Sequence, residues 1–298
     1  MSSAAPLIRW AGAPAPFLAA GRLTLAAAVL LPLALLGPGA HFESWRARHY
    51  LRTVISGLFL GAHFLLWIAS LGLTSVASSV FLVTLHPVVT ALLGWVFNRD
   101  RLSARLWWAL AAAAAAALTM VLPDLVARGA GGGAGAAGAR RMLGDVLALL
   151  GGLAASGYFL LGRAVRRECP STRAYAGLSY TVAAAAAWGA VAATRTPVAG
   201  LPAHSYAAVL LLGLGPQLLG HTTFNWALRR LPAAPVAVAI TGEPVGASAL
   251  AWLAFGEAPP ASLAVAVPLA ALGIYLATTA PGRAGEPAES GLQPPLPG

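Results

Sequence analysis

The chain carries nine long apolar runs in succession, and this pattern limits its fold more than any other feature of the sequence. Each run has about the 17–25 residues that a helix needs to cross the hydrocarbon core of a bilayer, and all are too long and too uniformly apolar for barrel strands. Only 9% of the residues are charged, whereas soluble domains have about 25%. The sequence therefore predicts an all-α, multi-pass membrane helix bundle. Its nine runs are 17–36, 53–71, 75–97, 106–122, 143–161, 174–193, 206–224, 233–255 and 262–279.

The basic residues are distributed unevenly between the loops. All 19 are arginine; 13 of them follow the first, third, fifth, seventh and ninth runs, and four lie in the other loops between runs. Positively charged loops stay on the cytoplasmic side of a membrane. We therefore predict that the loops at 46–52 and 163–173 are cytoplasmic and that 129–139 lies outside. A net charge of +10 spread in this way does not indicate a nucleic-acid partner.

Two of the runs contain a weak internal repeat. Residues 86–100 return as residues 243–257, an offset of 157, with matching Pro, Val, Leu and Trp positions. The same offset relates the first four runs to the last four, so that equivalent partners are five positions apart in the order of the helices. Because an odd number reverses the direction of crossing, the sequence predicts an inverted repeat, an arrangement common in secondary transporters. The equivalent of the fifth run would precede Met1, so we predict nine helices of a ten-helix plan.

One carboxylate, Glu243, lies deep inside an apolar run. A charged residue at the centre of a membrane helix costs about 2.5–3.5 kcal/mol on insertion scales, so it is expected to face a cavity or a partner. The next residue, Pro244, removes a backbone donor and predicts a kink; Pro87 occupies the equivalent position in the first copy and is also expected to be structural. Glu243 is interpreted either as a proton-coupling or substrate-binding group, or as a protonated carboxyl bonded to a neighbouring helix.

Three histidines, His63, His86 and His221, also lie within apolar runs. No pair of them has the i, i+3 or i, i+4 spacing of helical metal ligands, and the chain has one cysteine, so we predict no metal site and no cofactor. They are interpreted either as groups that form hydrogen bonds between helices or as part of a polar cavity. The candidate lining of that cavity is His63, Tyr158, His221, Asn225, Trp226 and Glu243.

Two further carboxylates, Asp100 and Glu257, are placed at helix ends beside short turns. There a carboxylate readily accepts hydrogen bonds from the backbone donors of the following helix, so both are predicted to be capping residues. Small residues at Gly57 and Gly61, and again at 152 and 155, are suited to close helix packing.

Several short strings carry a more specific signal. They are GHTTFNWAL at 220–228, GEPVGA at 242–247 and FGE at 255–257, with weaker counterparts in Thr74-Ser75, His86-Pro87 and Arg22. Together they resemble the EamA-type proteins of the drug/metabolite transporter superfamily. This resemblance covers about 17–280 and implies ten helices in two inverted EamA repeats, with both termini cytoplasmic. It also implies transport of amino acids, other small metabolites or drugs.

The expected organisation is a first repeat at 17–123, lacking its first helix, a Gly/Ala-rich linker at 124–142, a second repeat at 143–280 and a disordered tail at 281–298. We predict a secondary transporter of the bacterial inner membrane, not an enzyme, that moves a small metabolite by alternating access, with proton-coupled efflux as one mode. Its expected partners are a small solute, protons and the lipid bilayer. Two other readings remain open: a membrane-embedded enzyme with Glu243 and His221 as acid and base, and an incomplete, non-transporting relic.

Overall fold

The computed structural model describes residues 2–37, 42, 45–86, 88–90, 93, 96, 103–129, 135–168, 171–220 and 242–279. Within these ranges the chain is helical and contains no strand, as predicted. The α-helices are α1 Ala4–Ala11, α2 Ala15–Leu36, α3 Ala47–Leu71, α4 Val76–Val83, α5 Ala104–Gly129, α6 Ala136–Glu168, α7 Thr172–Ala193, α8 Ala203–Leu212, α9 Gly242–Phe255 and α10 Leu263–Thr278. A π-helix, Gly213–Gly220, continues α8 and contains Pro216.

Several helices have the length and composition of membrane spans. Four described helical segments are long and apolar enough to cross a bilayer: Ala15–Leu36, Ala47–Leu71, Ala136–Arg166 and Arg173–Ala193. Large apolar side chains also cover the outer surface; Leu253, for example, is 80% exposed. An apolar surface of this kind is stable only in contact with lipid. The protein is a multi-pass membrane protein.

The helices differ from the predicted apolar runs at two places, before the first run and between the fourth and fifth runs. A short helix, α1, precedes the first run; the sequence analysis did not predict it, because eight residues with an arginine do not form a span. Helix α5 continues to Gly129 and α6 begins at Ala136, so the described residues of the predicted linker at 124–142 are helical at 124–129 and 136–142. Alanine explains the extension, since it has the highest helix propensity.

The helices of the two halves are interleaved. Helix α2 packs on α7, and their bounds differ by 157 at both ends; α5 packs on α10, which is also its equivalent. Helix α3 packs on α6, while α8 packs on α1. Shifted by 157, residues 4–11 of α1 become 161–168, the end of α6. This exchange of partners is what a two-fold relation between inverted halves produces.

Two glycines, Gly57 and Gly61, allow α3 to pack closely against α7, which agrees with the role predicted for them. A Cβ added at Gly57 of α3 would lie 2.6 Å from Cβ of Val182 and 2.7 Å from the carbonyl oxygen of Ser179, both in α7. At Gly61 the nearest atom would be the Ala183 carbonyl oxygen at 3.1 Å. The α3–α7 contact therefore depends on these missing side chains.

The contacts between helix ends separate the loops into two groups. Arg48 and Arg52, at the start of α3, bind Glu168 at the end of α6. Arg105, at the start of α5, donates to the carbonyl of Thr279 after α10. At the opposite ends of these helices, the α3–α4 turn meets the α9–α10 turn. The described Arg-rich loop residues therefore share one end of the bundle, which we call the arginine end.

Candidate functional site

A buried arginine lies at the centre of the bundle. Arg22 of α2 is 1% exposed, and its Nε donates to Oε1 of Gln217 at 2.9 Å. Gln217 belongs to the π-helix, and its Nε2 donates to the hydroxyl of Tyr180 in α7 at 2.8 Å. One chain of hydrogen bonds therefore joins three elements from both halves of the protein.

Aromatic rings from α3 cover one side of this arginine. The Cζ atom of Arg22 lies 4.3 Å from the ring centroid of Phe64 and 5.9 Å from that of Trp67. A guanidinium is attracted to the face of such rings, and more strongly where water is excluded. The rings therefore help to hold a positive charge away from water.

One further nitrogen of this guanidinium has no acceptor among the described residues. Nη1 of Arg22 is buried and has no hydrogen-bond partner among the residues that the structure describes. Buried polar groups normally have at least one partner, and each exception calls for an explanation. The site therefore has donor capacity that the described protein groups do not use.

Two predicted site residues lie close to this arginine. Glu243, half-buried in the first turn of α9, interacts electrostatically with Arg22. No ion pair joins the two groups among the described residues. His63 of α3 interacts electrostatically with Arg22 as well, and its Nδ1 is 2.9 Å from the carbonyl oxygen of Gly151 in α6. The interhelical bond predicted for a histidine is thus present at His63, beside the charged centre.

A third predicted residue, Tyr158 of α6, lies on the arginine-end side of this group. Its ring stacks on Tyr175 of α7 with a centroid distance of 5.9 Å, and it interacts electrostatically with Tyr180. The Tyr175 hydroxyl is 2.5 Å from Oγ of Ser56 and donates to the Tyr158 carbonyl oxygen at 3.2 Å. Ser56, Tyr158 and Tyr175 therefore form a second polar group, closer to the end of α6.

The position equivalent to Glu243 also lies near the centre. His86, 157 residues earlier, interacts electrostatically with His63 and stacks on Phe159 at 5.0 Å. Its backbone carbonyl accepts a hydrogen bond from Oγ of Ser156 at 2.9 Å. The repeated positions of the two halves thus lie beside one polar group.

Some predicted residues cannot be placed in this way. His221, Asn225 and Trp226 of the candidate cavity, together with Pro87 and Asp100, lie outside the described residues. Pro244 is buried in the first turn of α9, where its carbonyl accepts a hydrogen bond from Oγ of Ser248 at 2.6 Å. The kink predicted there involves undescribed residues before 242 and stays a prediction.

A second carboxylate, which the sequence analysis did not propose as a site residue, is buried between the helices. Asp145 of α6 is 2% exposed, and its Oδ1 accepts hydrogen bonds from the hydroxyls of Thr74 at 2.8 Å and Ser78 at 2.7 Å. The sequence places Asp145 two residues inside its apolar run, near the end of the span. Packing against the α3–α4 turn buries it.

Glu257 caps a helix, as predicted, but the helix is not the one that follows it. Its Oε1 accepts a hydrogen bond from the backbone N–H of Val76 at 2.7 Å, which caps α4 rather than the following helix α10. Its Oε2 pairs with Nη1 of Arg9 at 3.1 Å. Arg9 also donates to the carbonyls of Leu71 and Thr74, at 2.8 and 2.6 Å. We call this group the outer clasp; it joins the α3–α4 turn of the first half to the α9–α10 turn of the second.

A second charged group joins the halves at the arginine end. Glu168 of α6 is bound by Arg48 at 2.6 Å, His49 at 2.8 Å and Arg52 at 2.9 Å, all from α3. The hydrogen bond from His49, followed by that from Arg52, lowers the pKa of Glu168 to about 2. This carboxylate is therefore ionised at every physiological pH, and the group is named the Glu168 cluster.

Sequence reasoning missed the centre of the site. Arg22 entered only as part of a family resemblance, and neither Gln217 nor Tyr180 was proposed as a site residue. A signal was available, since Arg22 is a charged residue inside an apolar run, and such residues mark functional positions by default. The glutamine and tyrosine carried no comparable signal, because their role depends on which helices meet.

The comparisons with known proteins agree with this architecture. The model of the EamA-like transporter family matches residues 1–122 and 142–279, and the chain belongs to this family. The two matches end 157 residues apart (279 against 122), the same offset that relates the repeated strings and the bounds of α2 and α7. The first match begins at residue 1, before the predicted start of the first repeat at 17. Both halves of the chain are thus EamA repeats.

The fold also resembles known structures. Ten chains of solved structures match significantly. One of them, titled "Crystal structure of protein", has a TM-score of 0.63 and 22% sequence identity, with 93% of this chain and 92% of that chain covered. At this identity the likeness concerns the fold alone. No curated protein matches the chain significantly.

Proposed function

We propose that this protein is a secondary transporter that moves a small metabolite across the bacterial inner membrane by alternating access. Its solute site is the group formed by Arg22, Gln217, Tyr180, His63 and Glu243. Membership of a transporter family gives the class of protein. The observation that carries the proposal is a buried guanidinium with unused donors, placed where elements of both inverted repeats meet.

The interleaving of the two repeats limits which parts of the protein can move as rigid bodies during alternating access. The largest helix interfaces, α2 with α7 and α3 with α6, each join one repeat to the other. Packed interfaces resist gradual deformation and change between discrete arrangements. The moving units are therefore composite bodies that contain helices from both repeats, and the outer clasp and the Glu168 cluster close their two ends.

Glu243 is proposed as the site of the coupling proton. It is a half-buried carboxylate within electrostatic range of the positive charge on Arg22, yet it forms no ion pair with it among the described residues. A carboxylate placed in this way can gain or lose a proton without breaking a salt bridge. Proton-coupled efflux of the metabolite is the direction that we propose.

The experiment has two stages. Metabolite profiling of the medium from cells with and without the protein identifies the solute; uptake of that solute is then measured in proteoliposomes with and without a pH gradient. Glu243→Gln, which mimics the protonated acid, should fold and insert but lose gradient-driven transport. Exchange without net proton movement should survive.

The matched control is Glu286→Gln, which removes a carboxylate that follows the last apolar run and should keep gradient-driven transport. If the Glu243→Gln protein concentrates solute at the normal rate, Glu243 is a packing group and not the coupling site. If no solute differs between the two cell lines and none is transported, the proposal of a transporter fails as a whole.

A further inference from the structure

We propose that the transported solute carries a carboxylate and that Arg22 is the group that binds it. This inference rests on the proposed function, since it assigns a substrate class to the same site. It goes beyond that proposal by naming the chemical group that the solute must have and the side chain that recognises it.

The hydrogen-bond inventory of Arg22 is the first observation. A guanidinium has five N–H donors, and the described contacts of Arg22 use its Nε, with Gln217 as acceptor. Nη1 is buried without an acceptor among the described residues. A buried donor left unpaired is unfavourable, and a charged donor more so. An anionic oxygen bound at this edge would supply the missing acceptor.

Orientation of the guanidinium is the second observation. Gln217 holds Nε, and Tyr180 in turn holds Gln217 at 2.8 Å. The Phe64 ring lies against the guanidinium, 4.3 Å from Cζ. With Nε and one side of the plane held, Nη1 is fixed in space before a ligand arrives. A hydrogen bond from a guanidinium to a carboxylate oxygen is charge-assisted and is stronger than one between neutral groups.

Charge number distinguishes a carboxylate from a phosphate. Arg22 is the only arginine among the fully buried residues that the structure describes, so the site offers one positive charge. Glu243 already contributes a carboxyl group within electrostatic range. A phosphate dianion would leave excess negative charge in a medium of low dielectric constant, which is costly. A monocarboxylate matches the single guanidinium when Glu243 is protonated, as the proposed coupling requires.

The test compares carboxylates with their uncharged amides on the full chain. Phenylacetate is paired with phenylacetamide and hexanoate with hexanamide, because each amide keeps the shape and removes the charge. Binding is measured as the ligand-dependent rise of the thermal unfolding midpoint in detergent. We expect at least one carboxylate to stabilise the protein and its amide to bind at least tenfold more weakly.

Variants then assign the effect to Arg22. Hydrogen bonds to a charged group contribute enough that Arg22→Gln should weaken carboxylate binding roughly tenfold to a hundredfold, with amide binding unchanged. Arg22→Lys keeps the charge without the guanidinium and should lie between the two. Arg140→Gln, which removes an exposed guanidinium from α6, should bind as the unchanged protein does. If neither Arg22 variant folds, the contrast between carboxylate and amide still decides.

The outcomes separate this inference from the proposed function. Equal binding of carboxylate and amide, or carboxylate binding that survives Arg22→Gln, overturns the inference. So does a panel in which no carboxylate stabilises the protein. Transport of a solute that has no acidic group leaves the proposed function intact and refutes Arg22 as its carboxylate receptor. Carboxylate binding that depends on Arg22, without transport of any solute, refutes the proposed function and leaves Arg22 as a carboxylate-binding group only.

Discussion

The outer clasp provides the sharpest quantitative prediction about stability. Arg9 donates three hydrogen bonds, to Leu71, Thr74 and Glu257, and the two charged side chains are 33% and 22% exposed. A hydrogen bond to a charged group contributes about 1.5–3 kcal/mol when buried, and solvent exposure reduces this for an ion pair to about 0–1 kcal/mol. We therefore expect Arg9→Gln to lower the free energy of unfolding by about 2–3 kcal/mol.

The Glu257→Gln change should cost less, about 1 kcal/mol, because the amide oxygen can still accept from the backbone N–H of Val76. The double variant should lose about 1 kcal/mol less stability than the sum of the losses in the two single variants. This coupling measures the Arg9–Glu257 contact itself, apart from the bonds that Arg9 makes to backbone carbonyls.

The assay is reversible unfolding of the purified protein in mixed detergent micelles, followed by tryptophan fluorescence, for the unchanged protein, both single variants and the double variant. Arg140→Gln is the control, because its side chain is exposed on α6; it should change stability by less than about 0.5 kcal/mol. Additive costs within error would show that the two side chains do not interact. A loss for Arg9→Gln no larger than for Arg140→Gln would refute the clasp.

Three more predictions concern packing, pH and topology. Gly57→Ala should destabilise the protein by about 1–3 kcal/mol, as overpacking does, whereas Gly189→Ala in α7, whose added Cβ meets nothing within 4 Å, should be neutral or stabilising; equal effects in the same unfolding assay would contradict the α3–α7 approach. Glu168 has a folded pKa of about 2, below its ordinary value, so the stability it contributes is complete above that ordinary value and is lost as the pH falls towards 2; a Glu168→Gln variant with an unchanged acid-unfolding curve would be evidence against this. The topology is tested with single cysteines in a variant without Cys169. Arg48→Cys should react with an impermeant thiol reagent only after the cells are permeabilised, whereas Arg195→Cys should react on intact cells. The reverse pattern would overturn the predicted orientation.

Composition and spacing along the chain are enough to predict the class of fold and the repeat. Long apolar runs leave a backbone with no alternative to helices in lipid, because every peptide group must find its partner within the same segment. The offset of 157 predicted which helices are equivalent, and the bounds of α2 and α7 follow it at both ends. These features depend on local composition and spacing, which a sequence displays directly.

Local composition also explains the errors. The α1 helix was missed because it is too short to form a span by itself, and it is held by contacts with α8 and by the outer clasp. The described residues of the predicted linker at 124–142 are mostly helical, because alanine favours helix even where glycine is frequent; the linker itself stays a prediction. The periodicity and hydropathy of a segment do not show whether contacts with other helices will stabilise it.

Which polar residues meet depends on how the helices pack. Arg22 and Gln217 are 195 residues apart in the chain, and Arg9 and Glu257 are 248 apart. Pairs at this distance come together because α2 packs on the π-helix and because the α3–α4 turn lies against the α9–α10 turn. A buried polar group depends on its neighbours for every hydrogen bond, so its partner, and with it its role, is a property of the packed helices and not of its own segment.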